Sequence, residues 1–203
     1  CGDDVSGEQW IDERLHPLSD AEQKVWELDG LLNRRGVPID VSLCRQAIQQ
    51  VQEIEEDLQL RCLKITGIKA SQRDKMLEWF QGRGVKIKTL DEKSIDRELK
   101  KPHSDRVLEA LSIRREVARA GVKKLATMLD CVSHDGVIRG THLYHGATTG
   151  RWSSLRVQVH NLPRGKLSEQ ERTIRYVEDG ILHELEEPLT ALSKSIRGFF
   201  RAR

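Results

Sequence analysis

Two stretches of this chain keep apolar residues at a helical period for many turns, and they set the fold class. Between Val41 and Lys64 the seam runs Leu43, Ala47, Val51, Ile54, Leu58 and Cys62, with Glu and Gln on the outer face. Between Ser104 and Cys131 it runs Val107, Leu108, Leu111, Ala118, Val122, Leu125, Met128 and Leu129. Spacings of three and four residues line one face of an α-helix. Asp40 or Ser42 is placed to cap the first helix, and Ser104 or Asp105 the second. Thr66-Gly67 stops the first. Two long helices of this kind pack antiparallel around a shared seam. With 37% hydrophobic and 33% charged residues, the chain suits half-exposed helices better than a thick sheet core. The expected class is mainly α with a small β component (α+β).

Shorter elements fill the rest. Ser19-Asp20 cap a helix over Leu18–Asn33 in which Val25, Leu28, Leu31 and Leu32 recur at helical spacing, and Arg34-Arg35-Gly36 ends it. Val37 to Asp40 is a short extended turn. Ser71 caps a helix with Met76, Leu77, Trp79 and Phe80 on its buried side, broken by Gly82 and Gly84. A short helix follows from Leu90 to Leu99. Asp135-Gly136 signals a turn, and residues 137–140 and 141–144 read as short strands. A charged helix over Ser168–Glu187 puts Ile174, Val177, Ile181, Leu182 and Leu185 inward, and Pro188 separates it from a last helix ending near Phe199.

The net charge is only +2, so basic residues must be read locally. Arg114, Arg115, Arg119, Lys123 and Lys124 cluster in the second long helix. There 115, 119 and 123 stand at i, i+4 and i+8 on one face. Such a stripe matches a phosphate backbone. Cys1, Cys44, Cys62 and Cys131 form no CxxC pair, which excludes a zinc knuckle and a disulfide scaffold and points to a reduced, cytoplasmic setting. No apolar run nears the roughly 20 residues that cross a bilayer, and no signal peptide opens the chain. No membrane partner is expected. The chain begins with Cys rather than Met, as a piece of a longer polypeptide would.

One stretch resists a helical or strand reading. HGATTGRWSSLRVQVHNLPRG, His145 to Gly165, holds three glycines, an Arg in a Thr-Gly-Arg step, and then Gln, His, Asn and Pro in close order. It reads as a loop that presents polar groups to a ligand. Arg151 offers five donors in a rigid fork and a permanent charge, and Gly150 beside it lets the backbone approach closely.

TGRWSS followed by VQVHNLPRG resembles the TGR-x-S-S … Q-x-Q-N-x-P segment of family A DNA polymerases, especially those of bacteriophages. LLNRRGVPID resembles the entry to their thumb, and IRGFF the run just before their first catalytic aspartate motif. The resemblance implies a thumb at 20–134 with its tip at about 67–102, and a proximal palm at 135–203. Residues 1–19 would be a linker or the end of a preceding exonuclease domain. If a Tyr preceded Cys1, Asp4 would match the metal-binding aspartate of the last exonuclease motif.

In this family the loop meets the duplex near the primer terminus from the minor-groove side. There purine N3 and pyrimidine O2 stand in nearly the same place in every base pair. Carried to this chain, Arg151, Gln158, His160 and Asn161 would contact those acceptors. His160 stands where the family usually has Gln, which introduces a pH dependence. Thr149, Ser153, Ser154 and Arg164 are placed to touch phosphate or to cap backbone. Arg115, Arg119, Lys123 and Lys124 would track the phosphates, and Arg197 is a further candidate for a phosphate or structural role. The expected partners are primer–template DNA and the rest of the polymerase polypeptide. The parent enzyme would need Mg²⁺ and deoxynucleotides. The DYS-x-x-E-x-R aspartate motif is not in this sequence, so the chain alone is expected to bind duplex and not to polymerise. Its incomplete palm sheet is expected to leave apolar surface on the final helices, exposed or buried by another copy.

Two other motifs are set aside. His142 and His145 alternate faces of a strand-like stretch, with no third ligand for a metal. GATTGRWSS has the wrong glycine spacing for a phosphate-binding loop, and Arg where that loop needs Lys. The competing reading is a non-enzymatic helical nucleic-acid-binding module, which also explains the basic stripe. A third, purely structural reading, a helical interaction domain, predicts no DNA binding at low salt.

Overall fold

The computed structural model describes residues 2–119 and 122–202, with side chains from Val5 onward. The class is the expected one, mainly helical with two small antiparallel sheets. Helix α1 spans Gly2–Asp12 and α2 Asp20–Arg35. Ser19 begins α2 with a full capping box: its hydroxyl accepts from the Glu22 amide (3.3 Å), and the Glu22 carboxylate accepts from the Ser19 amide (3.4 Å). Gly36 ends α2 at φ +66, where an added Cβ would lie 2.5 Å from the carbonyl oxygen of Ile138. Only Gly fits that crossing.

The centre of the body is α3, Val41–Thr66, roughly 39 Å long at 1.5 Å per residue. Asp40 caps it through the Leu43 amide (3.0 Å), and Gly67 closes it in the left-handed region. The expected seam is buried, with Cys44 added to it. Helix α6, Asp105–Val117, and α7, Lys123–Cys131, run back along α3. Arg106 Nε donates to the Ile65 carbonyl (2.8 Å) and Arg61 pairs with Glu109 (2.8 Å), so the packing is antiparallel. Between α3 and α6 lie α4, Arg73–Gln81, and α5, Glu92–Leu99. These helices and the segment between them bury Met76, Trp79, Phe80, Val85, Ile87, Leu90 and Ile95 in continuity with the main core.

Three expectations are corrected. The helix read over 104–131 is two helices, because α6 stops at Val117 and α7 starts at Lys123. The apolar period runs through this break unchanged. Just past the end of α6, Arg119 is drawn sideways onto Thr190 and Glu92. The helix read over 168–187 is α8, Leu167–Glu178, stopped by Gly180 at φ +75 and followed by a 3₁₀ turn, Leu182–Glu184. The last segment is α9, Pro188–Ser195, and a 3₁₀ turn, Ile196–Phe199. Pro188 opens α9 rather than merely separating two helices, since a first-turn Pro loses no hydrogen bond.

Of the final helices, α9 and the 3₁₀ turn after it turn their large apolar side chains inward, while Leu167 at the start of α8 is exposed. Leu189, Leu192, Ile196 and Phe199 are fully buried. The exposed apolar side chains concentrate instead on α1 and α2: Trp10, Ile11, Trp26, Leu28 and Leu31 are all open to solvent.

Strand β1, Val37–Pro38, pairs antiparallel with β2, Val137–Ile138, and Ile39 bridges to Phe200 on its other side. Strand β3, His142–Leu143, pairs antiparallel with β4, Ser153–Ser154. Cys44 and Cys62 are buried free thiols, and burial pushes Cys44 up to about 12. No described helix is long and apolar enough to cross a membrane.

Candidate nucleic-acid interface

The β3–β4 hairpin is the frame of the loop that the sequence singled out. His142 pairs with Ser154 and Leu143 with Ser153. The Ala147 amide donates to the Arg151 carbonyl (3.2 Å) and the Gly150 amide to the Ala147 carbonyl (2.9 Å), so residues 147–151 form a tight tip. Gly150 sits at φ +74, and a Cβ there would press 3.1 Å from Nε2 of His145. Gly146 has no room for a Cβ against the Ser153 hydroxyl. The glycines are what allow the tip to fold back so closely.

Arg151 stands exposed at this tip, and among the described residues its guanidinium has no hydrogen-bond or ion-pair partner. Thr149 beside it is exposed too. Beyond β4 the chain is fastened by two apolar pegs, Val157 and Leu162, both buried. Between them Gln158, His160 and Asn161 point outward, and residues 159–161 form a 3₁₀ turn. Arg156 and Gln158 adopt left-handed backbone, φ 56 and 49. Such a conformation is uncommon for non-glycine residues. It turns alternate side chains outward while the pegs stay in. Arg197 donates to the Leu162 carbonyl (3.0 Å) and so locks the second peg. Arg164 is exposed just past it.

Ser154 and His160 are hydrogen-bonded to each other, and the His160 ring meets His142 edge to face at 5.1 Å. Ser154 is thus occupied within the loop, whereas Ser153 lines the tip under Gly146. Burial, and then the neighbouring His160, push the His142 pKa down, with Asp29 opposing them. His142 is therefore a neutral ring at pH 7.

The cationic stripe is corrected. Arg115, Arg119 and Lys123 do not share one helical face, because the break falls among them. Arg115, 18% exposed, pairs with Asp96 (3.0 Å) and with Glu187. Arg119, 14% exposed, pairs with Glu92 (2.6 Å) and donates to Thr190 (2.9 Å). Both tie the C-terminal end of α6 and the residues just past it to α5 and to the start of α9. Lys123 is exposed and Lys124 half-buried, with no side-chain partner among the described residues.

Sequence reasoning missed three contributors. Arg156 is exposed in the same loop as Arg151. Its neighbour-to-neighbour signal was only a second Arg between Leu155 and Val157. Asp29 and Asn33, on α2, hydrogen-bond to the hairpin from more than one hundred positions away, and nothing local announces that. The side chain of Asp4 lies outside the described residues. Among the described residues no three His, Cys, Asp or Glu side chains gather where they could hold a metal ion.

Comparison with known proteins supplies a relationship. No family model matches the chain, and no solved structure matches it. The chain is similar to the DNA polymerase of Bacillus phage SP02, 31% identical over 191 residues. The match covers 92% of this chain and 29% of that protein. The chain is thus related over nearly its whole length to a phage DNA polymerase, and it spans under a third of that relative.

Proposed function

We propose that this chain is the thumb and proximal palm of a family A DNA polymerase of the bacteriophage type. In this reading it grips primer–template duplex during DNA replication. The observation that carries it is Arg151: a permanent cation, without a partner among the described residues, at the tip of a glycine-shaped hairpin, in a chain related to a polymerase. A tip of this kind enters a minor groove and donates to acceptors that do not vary with sequence. Gln158, His160 and Asn161 extend the contact along the groove. Lys123, Lys124, Arg164 and Arg156 supply phosphate contacts. Arg115 and Arg119 keep the helices in place through their ion pairs and reach DNA only if those pairs open. Nucleotidyl transfer, with its Mg²⁺ and deoxynucleotides, belongs to the longer enzyme.

A titration of primer–template duplex against salt tests this. The chain is expected to bind, with affinity falling as salt rises. Arg151→Ala should weaken binding about tenfold with nearly the same slope, whereas Lys123→Ala should flatten the slope by roughly one unit. Primer extension by this chain alone, or equal affinity of wild type and Arg151→Ala, counts against the proposal.

A further inference from the structure

The hairpin that carries Arg151 is too small to hold itself. Each strand has two residues, and an isolated two-stranded hairpin is marginal even when longer. Something outside it must fix its direction, and the contacts point to one edge of α2. The Asn33 side chain bonds both backbone groups of His142. Its Nδ2 donates to the His142 carbonyl (2.9 Å), and its Oδ1 accepts from the His142 amide (3.0 Å). It stands where a third strand would stand. Asp29, one turn earlier, accepts from Asn33 Nδ2 (3.1 Å) through one oxygen, which fixes the orientation of the amide. Through its other oxygen it accepts from the Trp152 indole (2.8 Å).

One carboxylate–amide pair therefore holds β3 and the residue that leads into β4, and this second grip falls next to Arg151. Trp152 is 39% exposed and its ring lies 5.8 Å from Tyr144, so the hydrogen bond rather than burial settles its position. Helix α2 has no buried residue, so neither Asp29 nor Asn33 is part of the apolar core.

We propose that Asp29 and Asn33 are positioning residues that hold Arg151 in register with the minor groove. This rests on the minor-groove reading above. A side chain already aimed loses less freedom on binding, and that difference appears as affinity at the acceptor it meets.

The test compares primer–template DNA with the same duplex carrying 3-deazapurines near the primer terminus, which lack the minor-groove N3 acceptor. The wild-type chain is expected to prefer the natural duplex by about tenfold, the equivalent of about 1.4 kcal/mol. Asn33→Ala and Asp29→Ala should each bring that preference close to one, as Arg151→Ala does, with the salt slope unchanged. Asp29→Asn keeps an acceptor for the indole and should retain most of the preference. Trp152→Phe reads the same bond from its other end and should lose it, so the test does not depend on one variant folding. A wild-type preference that survives Asn33→Ala, Asp29→Ala and Trp152→Phe overturns the positioning role alone. No preference in the wild type overturns the minor-groove reading, and the positioning role with it.

Discussion

Helices α2 and α3 carry the same kind of apolar period and meet opposite fates. In α3 the seam closes into the core, with Leu43 5% exposed and Ala47 and Cys62 fully buried. In α2 Leu31 is 56% exposed and Trp26 57%. Helix α2 is attached through its polar edge, by Asp29 and Asn33 to the hairpin and by its last carbonyls to residues 139 and 140. Periodicity shows that a helix has an apolar face. It does not show that anything within the same chain covers that face. The hydrogen-bonded edge of α2 is where the candidate DNA loop hangs.

The largest expected effect sharpens this contrast. Leu43→Ala should destabilise the fold by about 2–5 kcal/mol, as buried Leu truncations do. Leu31→Ala should fall within about 0.5 kcal/mol, as exposed substitutions do. Urea unfolding of the two variants decides it. Equal losses would mean that the α2 face is covered in solution.

Next in size is a carboxylate buried in the body. Glu116 on α6 is 4% exposed and accepts from the Leu189 amide (2.9 Å), the Thr190 amide (3.2 Å) and the Thr190 hydroxyl. It caps the N-terminus of α9 from another helix, where a negative charge also meets the favourable end of the helix dipole. Glu116→Ala leaves those donors without a partner and should cost about 1–3 kcal/mol. On α2 the corresponding service is local and exposed. Ser19→Ala, which breaks the capping box, should cost about 0.5–1 kcal/mol. Thermal melting of both variants orders them. A Ser19 variant that loses more than the Glu116 variant would reverse the assignment of α3, α6 and α9 as the stable body.

What could be read from the residues follows the same division. Asp40, Gly67 and the α3 seam were legible because cap, stop and period all lie within one helix. Gly36, Gly150 and the polar run from Gln158 to Asn161 were legible because backbone freedom and side-chain chemistry are local properties. The break after Val117 was not, since the apolar period passes through it and Arg119 is drawn off by Thr190, 71 positions away. For the same reason a cationic stripe seemed plain in the sequence, while the ion pairs of Arg115 with Asp96 and Glu187 depend on which helices pack together. Asn33 and His142 are 109 positions apart, and one Asn near a helix end carries no signal of what it will hold.

The smallest effect separates the two regions by pH. In the α3 seam the one titratable group with a large shift is Cys44, pushed by burial to about 12, so nothing there titrates near neutrality. Beside α2, His142 has its pKa lowered from 6.5 by burial and by His160, against the opposing pull of Asp29. A base with a depressed folded pKa is protonated more readily when unfolded. Its contribution to stability is complete above the unfolded pKa and is lost as pH falls through the folded pKa. Melting temperature should therefore decline gently below pH 6.5. His142→Gln should flatten that decline. Melting profiles from pH 7.5 to 5 for both proteins measure the difference. An identical slope in the two would show that burial and His160 do not depress the His142 pKa in the folded protein.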